Sequence, residues 1–287
     1  MSENIILETR DLHYTYPDGT HALKGINMAI RRGRKIAVLG SNGSGKSTLF
    51  FTFNGILKPQ QGGLLFKGNH VRHNRAGLSE LRKRIGIVFQ DPDAQLFSAS
   101  VHQEVSFGAM NLKLPEDVVR RRVDDALRST GIPHLKSKAT HFLSYGEKKR
   151  VCIADILVME PEVIMFDEPT SCLDAKNTLQ IMDVFNRLHK GGTTLIMSTH
   201  DVEVAWNWAD EVFIMKEGLV AGAGSPHEVF SDEQLLQDTC LEKPLVMKVF
   251  EQLKACGIIH TPGPPRTEKE FFEIMQSLRP NKKAGAF

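Results

Sequence analysis

The sequence of 287 residues lacks any long apolar run. No window approaches the roughly 18 consecutive apolar residues that a transmembrane helix needs. Residues 1–4 are not a basic segment leading into an apolar stretch, so no signal peptide is expected. We therefore expect any membrane role of this chain to depend on partner proteins.

Cysteine and excess charge are also scarce. The chain has four cysteines, far apart and without a CxxC pair, which predicts free thiols in a reducing compartment. The net charge is +2, so nothing in the overall charge indicates a nucleic-acid partner or an anionic membrane surface. The length allows one large domain, alone or with a small appendage.

The order of the predicted elements indicates an α/β fold. Residues 5–30 show strand patterns around a turn and predict an N-terminal antiparallel β subdomain. Short apolar runs typical of buried strands follow at 36–39, 163–166 and 194–197, and residues 175–190 have helical periodicity. Strand, helix and strand at this spacing favour a core built on a mainly parallel sheet.

Helices are predicted between these strands and after them. One begins at Pro115 and ends at Gly131, and another begins near Ser144 and runs past Ile156. Residues 231–287 predict a small helical C-terminal appendage, with one apolar stripe at Leu245, Val246, Val249, Phe250 and Leu253 and a second at Phe271, Phe272, Met275 and Leu278. These stripes either pack on the main domain or contact a partner.

The strongest motif is a complete match to GxxxxGK[ST], formed by Gly40, Ser41, Asn42, Gly43, Ser44, Gly45, Lys46, Ser47 and Thr48. It lies between a strand pattern and a helix-compatible segment, as a phosphate loop requires. Glycines let the backbone amides turn around a nucleotide's phosphates, and the next helix points its N-terminus at the same anion. We expect Lys46 to reach the β- and γ-phosphates and the Ser47 hydroxyl to bind Mg²⁺. A glycine-rich turn with a chance lysine is the weaker alternative.

Two acids, Asp167 and Glu168, directly follow the apolar run at 163–166. An acid at the end of a buried strand beside a phosphate loop is placed to hold Mg²⁺ through water, which we expect of Asp167. The adjacent acid is placed to orient or deprotonate an attacking water, which we expect of Glu168.

The segment 143–147, Leu-Ser-Tyr-Gly-Glu, resembles the LSGGQ signature of the ATP-binding cassette (ABC) ATPases. The resemblance runs from about residue 5 to 230, and it implies a nucleotide-binding domain over 1–230 with a helical signature subdomain at about 90–160. Gln90 resembles the family's Q-loop glutamine, residues 171–174 its D-loop and His200 its switch histidine. Tyr16 lies where the family stacks an aromatic ring on adenine, and Tyr14 is the alternative.

The resemblance implies a head-to-tail dimer that holds two ATP molecules between subunits. Ser144 and the amide of Gly146 would grip the γ-phosphate of the ATP on the other subunit. Glu168 would act as general base, His200 would contact the γ-phosphate, and Gln90 would bind Mg²⁺ and sense the transport partner. Tyr145 and Glu147 depart from the signature's glycine and glutamine, which puts the ATP affinity of this half-site in question.

Residues 89–97 and 101–108 look like the ATPases of energy-coupling-factor importers. That resemblance implies a membrane scaffold subunit, a membrane substrate-capture subunit, and a position on the cytoplasmic face of the membrane. Asp91 and Asp93 either pair with arginines of the scaffold's coupling helix or cap their own helix. The surrounding sequence is most similar to the cobalt- and nickel-importing branch, and the shared ATPase of vitamin importers is the alternative. A soluble ABC ATPase acting as a nucleotide switch is the less favoured class, since the chain has one cassette and no sustained heptads.

Overall fold

A computed structural model of the chain describes residues 4–261 and 263–277. The strands are β1 (Ile5–Thr15), β2 (His21–Arg31), β3 (Lys35–Leu39), β4 (Gln61–Phe66), β5 (Asn69–His70), β6 (Ile85–Val88), β7 (Val163–Asp167), β8 (Thr194–Thr199), β9 (Glu211–Lys216) and β10 (Leu219–Gly224). The helices are α1 (Lys46–Phe53), α2 (Arg75–Arg84), α3 (Val101–Asn111), α4 (Glu116–Ser129), α5 (Tyr145–Leu157), α6 (Ala175–Lys190), α7 (Val202–Trp208), α8 (Pro226–Ser231), α9 (Glu233–Thr239), α10 (Leu245–Ala255) and α11 (Glu268–Ser277). No helix in these described ranges is long and apolar enough to cross a membrane.

The larger sheet has six strands in the order β10-β9-β3-β8-β7-β6. All neighbours are parallel except β10, which pairs antiparallel with β9. Strands β7 and β8 are buried along their whole length, as expected for a parallel sheet covered on both faces. The predicted mainly parallel core is therefore confirmed, and the carboxyl ends of β3, β7 and β8 meet at one edge of the sheet.

The smaller, antiparallel sheet has the order β2-β1-β4-β5. The predicted N-terminal strands supply β1 and β2, whereas β4 and β5 come from beyond α1 in the sequence. Helix α1 lies between the two sheets, and its Leu49, Phe50 and Phe53 are fully buried in a core shared by both. This packing holds the start of α1, and with it the phosphate loop, rigidly against the sheet edge.

Helices α3, α4 and α5 form a helical subdomain with its own hydrophobic core, centred on Val105, Val123 and Val151. The predicted helices at Pro115–Gly131 and from Ser144 are confirmed as α4 and α5, with Pro115 and Ser144 as their N-cap residues. Helix α5 also reaches the core of the main domain through Cys152 and Ile153. It therefore links the helical subdomain to the parallel sheet.

Helices α9 to α11 lie within the predicted C-terminal appendage at 231–287, and part of this segment packs on the main domain. Met247 of α10 belongs to the main hydrophobic core, and the Trp206 indole donates to the Pro265 carbonyl at 3.1 Å. The predicted stripe on α10 is wrong at Leu245 and Val249, which are exposed. Phe250 of that stripe is buried as predicted, and Met247, which was not part of it, is buried three residues before it on the same face.

The second stripe of the appendage is only partly described. Helix α11 follows Thr267, whose hydroxyl accepts from the Glu270 amide at 3.2 Å. Phe272 is 59% exposed, whereas Phe271 and Met275 are half-buried, so the predicted stripe is wrong at Phe272. Leu278 lies outside the described residues.

Candidate functional site

The phosphate loop connects β3 to α1 and depends on two glycines. Gly45 has a φ of +103°, and a Cβ there would lie 2.6 Å from the Ala22 carbonyl oxygen. A Cβ on Gly40 would lie 2.4 Å from the Met215 carbonyl oxygen. Any side chain at either position would collide with backbone, so the close approach of the loop to neighbouring strands requires glycine.

Lys46 is the first residue of α1 and its ammonium group is buried under the loop. Nζ donates to the carbonyl oxygens of Gly40 at 2.8 Å and Ser41 at 3.0 Å. It also lies 3.7 Å from Oε1 of Glu168. Burial lowers the pKa of Lys46, and the nearby Glu168 and Asp167 carboxylates oppose that shift. The loop therefore closes around a cation that faces the acidic end of β7.

A cavity of about 570 Å³ lies over this loop. We call it the phosphate-loop cavity. The predicted site residues that line it are Tyr16, Asn42, Gly43, Gly45, Lys46, Ser47, Thr48, Gln90 and Glu168. Residues that the sequence analysis missed also line it: Thr20, His21, Ala22, Lys24, Glu217 and Gly218. Thr20 directly precedes β2, and the next three residues lie on β2. Glu217 and Gly218 are in the β9–β10 turn, where the Gly218 carbonyl accepts from the Lys24 amide at 2.8 Å.

The two candidate aromatic residues lie in different environments. Tyr14 is buried in the core between the sheets, while Tyr16 lines the phosphate-loop cavity. Their rings pack edge to face with centroids 5.0 Å apart, and the Tyr16 hydroxyl lies 3.0 Å from Oγ1 of Thr48. The structure thus leaves Tyr16, and not Tyr14, in a position to contact a nucleotide.

Ser198 on β8 forms hydrogen bonds to both acids at the end of β7, Asp167 and the following Glu168. Its hydroxyl donates to Oδ1 of Asp167 at 2.5 Å and accepts from the Glu168 amide at 2.9 Å. Glu168 has a φ of +41°, a conformation that costs energy for a residue with a side chain and is typical of functional sites. Ser198 was not predicted, although its position two residues before His200 places it at the same sheet edge.

Three predicted residues converge on the carboxylate of Glu168. The first is Lys46, described above. The Gln90 side-chain amide donates to Oε2 at 3.5 Å, and Nδ1 of His200 lies 3.2 Å from Oε2. Glu168 itself is 8% exposed. A buried carboxylate with three polar neighbours, at the phosphate-loop cavity, is placed to accept a proton from water.

The signature segment forms the N-terminus of α5. The Ser144 hydroxyl accepts from the Glu147 amide at 3.3 Å, and Oε2 of Glu147 accepts from the Ser144 amide at 2.7 Å. This capping box accounts for Glu147, because a carboxylate also complements the positive end of the helix dipole. Hydrogen bonding to the Ser144 amide lowers the pKa of Glu147 despite partial burial.

Gly146 has little space for a side chain. A Cβ there would lie 2.6 Å from Oδ1 of Asn177, at the start of α6. Neither Ser144 nor Gly146 is among the residues that line the phosphate-loop cavity of the same chain. The structure therefore separates the signature from the phosphate loop within one chain.

The two acids after Gln90 are both engaged within the chain. Asp91 caps the short 3₁₀ helix at 92–94, accepting from the Asp93 amide at 3.0 Å. Oδ1 of Asp93 accepts from Nζ of Lys148 on α5 at 2.5 Å. Asp91 thus matches the capping alternative, and Asp93 is already paired with Lys148.

Beside these acids lies a second cavity, of about 660 Å³, which we call the lateral groove. Helix α2 forms one wall of the groove, and its apolar lining includes Phe89, Phe97, Phe107 and Met159. Phe97 is 67% exposed, which is unusual for so large an apolar side chain. One acid, Asp155, also lines the groove, and burial raises its pKa to about 7.

Comparison with known proteins agrees with this geometry. A family model described as ABC transporter matches residues 23–171. The energy-coupling factor transporter ATP-binding protein EcfA2 of Clostridium perfringens is 54% identical over 253 residues, which cover 88% of this chain and 89% of that protein. An energy-coupling factor transporter ATP-binding protein EcfA of Methanocaldococcus jannaschii is 46% identical over 248 residues, or 86% of this chain and 89% of that protein.

Two solved structures share the fold. One is cbiO1 from Clostridium perfringens, described as part of the ABC transporter complex cbiONQ, with a TM-score of 0.75 and 54% identity, covering 87% of this chain and 100% of that chain. The other is a dimeric ATP-binding cassette in a post-hydrolysis state bound to ADP and Pi, with a TM-score of 0.71 and 26% identity, covering 77% of this chain and 99% of that chain.

Proposed function

This chain belongs to the ABC transporter family of ATPases, and on that premise we propose that it is the motor subunit of an energy-coupling-factor importer for cobalt or nickel ions. One observation carries the catalytic part of the proposal. Lys46, Gln90 and His200 all approach the Glu168 carboxylate beside the phosphate loop. ATP bound in the phosphate-loop cavity would present its γ-phosphate to this group.

The residues act mainly by positioning and by charge. The phosphate loop and Lys46 bind the β- and γ-phosphates, and Tyr16 supports the adenine ring. Glu168 takes a proton from the water that attacks the γ-phosphorus, as the bond from that phosphorus to the β,γ-bridging oxygen breaks and ADP and phosphate form. His200 contacts the γ-phosphate and, through Nδ1, the base itself. Lys46 and Glu168 are buried, which strengthens the electrostatic contact between them.

The donor chemistry near the loop fits Mg²⁺. The Ser47 hydroxyl and the Gln90 amide line the phosphate-loop cavity, and the Asp167 carboxylate lies at the adjoining end of β7. Mg²⁺ prefers oxygen ligands and is usually held by one or two protein groups together with the substrate's phosphates. When bound, the ion would neutralise charge on those phosphates. Ser47, Gln90 and Asp167 are the residues that would hold it.

A complete site needs a second ATPase subunit. Ser144 and Gly146 lie apart from their own phosphate-loop cavity, while the helix N-terminus they form suits an anion. In a head-to-tail dimer these residues would contact the γ-phosphate of ATP on the other subunit. The dimeric assembly of the cassette bound to ADP and Pi supports this arrangement. The second subunit is a further copy of this chain or a related ATPase.

The lateral groove is where we place the membrane scaffold. It begins next to the segment that follows Gln90 and exposes Phe97 and Phe107 beside it. An amphipathic helix of the scaffold would bury these rings, and its movement would reach Gln90 through the intervening segment. The chain would then lie at the cytoplasmic face of the membrane, held there by the scaffold and the substrate-capture subunit, with no nucleic-acid partner.

Identification of the co-purifying subunits tests this proposal. The chain is tagged, extracted gently from its native membranes, and its partners are identified by mass spectrometry. One ATPase type with one scaffold and one dedicated multi-helix capture protein is the result expected for a cobalt or nickel importer. A second ATPase with several different capture proteins would favour a vitamin-importing module instead. Recovery with ribosomes or DNA, and without membrane proteins, would overturn the transporter assignment.

A further inference from the structure

Tyr145, at the signature glycine's position, contacts the Gln90 main chain of its own subunit. Its hydroxyl donates to the Gln90 carbonyl oxygen at 3.3 Å. Nζ of Lys149, one turn further along α5, donates to the same oxygen at 2.5 Å. The side-chain amide of that same glutamine donates to Oε2 of Glu168 at 3.5 Å. Gln90 is therefore a direct link between the signature helix and the proposed general base.

Lys149 is unusual because its long cationic side chain is 1% exposed. Over residues 4–261 and 263–277, no carboxylate lies within ion-pair distance of its ammonium group. The group is instead stabilised by the Gln90 carbonyl and by the ring of Tyr145, whose centroid is 5.6 Å away. Burying a charge in this way is costly unless its few contacts are well made. The contact with Gln90 is thus the main polar interaction of a buried cation.

Burial lowers the pKa of Lys149, while the carboxylate of Asp167 opposes the shift.

Other contacts join α5 to the chain after Gln90 without touching that residue. Lys148 forms an ion pair with Asp93, and the side-chain amide of Gln95 donates to the Cys152 carbonyl at 3.1 Å. The contacts to Gln90 can therefore be removed separately from those to the following residues.

We propose that Lys149 and Tyr145 are positioning residues for ATP hydrolysis: they hold the main chain of Gln90 so that its side-chain amide faces Glu168. The inference rests on the roles assigned above to Gln90 and Glu168. A signature helix that shifts when ATP binds at its N-terminus would move the Gln90 carbonyl, and would thereby change the position of the amide relative to the base. Tyr145 thus has a function within its own subunit that glycine could not supply.

A double-mutant cycle on ATP hydrolysis tests the proposal, with the tagged full-length chain and whatever subunits purify with it. Lys149→Met should lower kcat about tenfold, the order expected for losing a hydrogen bond from a charged group, with KM for ATP nearly unchanged. Tyr145→Phe should lower kcat about threefold. Lys149→Arg, which keeps a cation, should recover part of the rate. Lys148→Met is the matched control and should hydrolyse ATP like the parent chain.

The decisive comparison is the same pair of changes in a Gln90→Ala background. If the two residues act through the Gln90 side chain, Lys149→Met and Tyr145→Phe should cause no further loss there. Equal losses in both backgrounds would mean a merely structural role and would overturn the proposal. Should Lys149→Met not fold, Tyr145→Phe gives the same comparison alone. Wild-type hydrolysis by Gln90→Ala itself would instead contradict the assignment of the site.

Discussion

The carboxylate of Glu168 is the group on which the proposed chemistry depends. Glu168→Gln keeps the size and most contacts of this side chain but removes its basicity. We expect ATP turnover to fall by about 100- to 10,000-fold, the usual contribution of a general base, while ATP still binds and holds the dimer closed. Turnover and equilibrium ATP binding are measured on the same preparation. Glu116→Gln, at an exposed position on α4, should behave like the parent chain, and normal hydrolysis by Glu168→Gln would exclude the base.

The buried carboxyl group of Asp155 should make the free energy of unfolding depend on pH. Burial raises its pKa from 3.8 to about 7, so between these values the folded chain holds a proton that the unfolded chain has lost. The contribution of Asp155 to the free energy of unfolding should therefore fall as pH rises from about 4 to 7. Asp155→Asn removes this dependence. We expect the variant to be neutral at pH 4 and to gain up to about 4 kcal/mol above pH 7.

Denaturant unfolding at pH 4, 6 and 8 measures this effect. Asp183→Asn is the matched control, because Asp183 is an exposed carboxylate on α6, and it should keep the pH dependence of the parent chain. An equal gain from Asp155→Asn at all three pH values would show that Asp155 is not protonated in the folded chain.

At the scale of elements, two helices begin with the same capping box. Ser144 and Glu147 form it on α5, and Ser225 and Glu228 form it on α8. Replacing either serine by alanine should cost about 1 kcal/mol of unfolding free energy. Only Ser144→Ala should also slow ATP hydrolysis, because only that serine is proposed to contact ATP. The account of the signature would be wrong if both variants hydrolysed ATP at the same rate.

The predictability of the elements followed from how local their signals are. Helix α4 begins after Pro115 and α5 after Ser144, and both caps are contained in a few adjacent residues, so the sequence was sufficient. The orientation of α10 depends instead on which surface it meets. Its apolar residues admit more than one inward face, and the contact with the main core selected Met247 over Leu245.

Which residues of the site could be predicted also depended on how local their signals are. The phosphate loop was predictable because residues 40–48 are contiguous and their chemistry requires that order. His21 and Lys24 on β2 and Glu217 in the β9–β10 turn were missed because they reach the cavity from outside the phosphate loop and form no motif. Nothing in the sequence could have paired Lys148 with Asp93 either, since that contact exists only after α5 packs beside the segment that follows Gln90.

At the scale of the whole molecule, the two sheets and the helical subdomain each position a different part of the candidate site. The parallel sheet fixes Glu168 and His200 at one edge, α1 anchors the loop between the sheets, and α5 joins the signature to Gln90. The lateral groove lies next to the segment leading away from Gln90. This order of parts accounts for how ATP binding in a dimer could move a membrane scaffold.

The most direct test of the whole account is transport by the purified complex. The complex that purifies with this chain is reconstituted in proteoliposomes, and uptake of labelled cobalt and nickel is followed with ATP on the side of the ATPase. We predict ATP-dependent accumulation of at least one of the two ions, abolished by Glu168→Gln and unaffected by Glu116→Gln. ATP-dependent uptake of a vitamin with no ion uptake, or ion uptake that persists in Glu168→Gln, would contradict it.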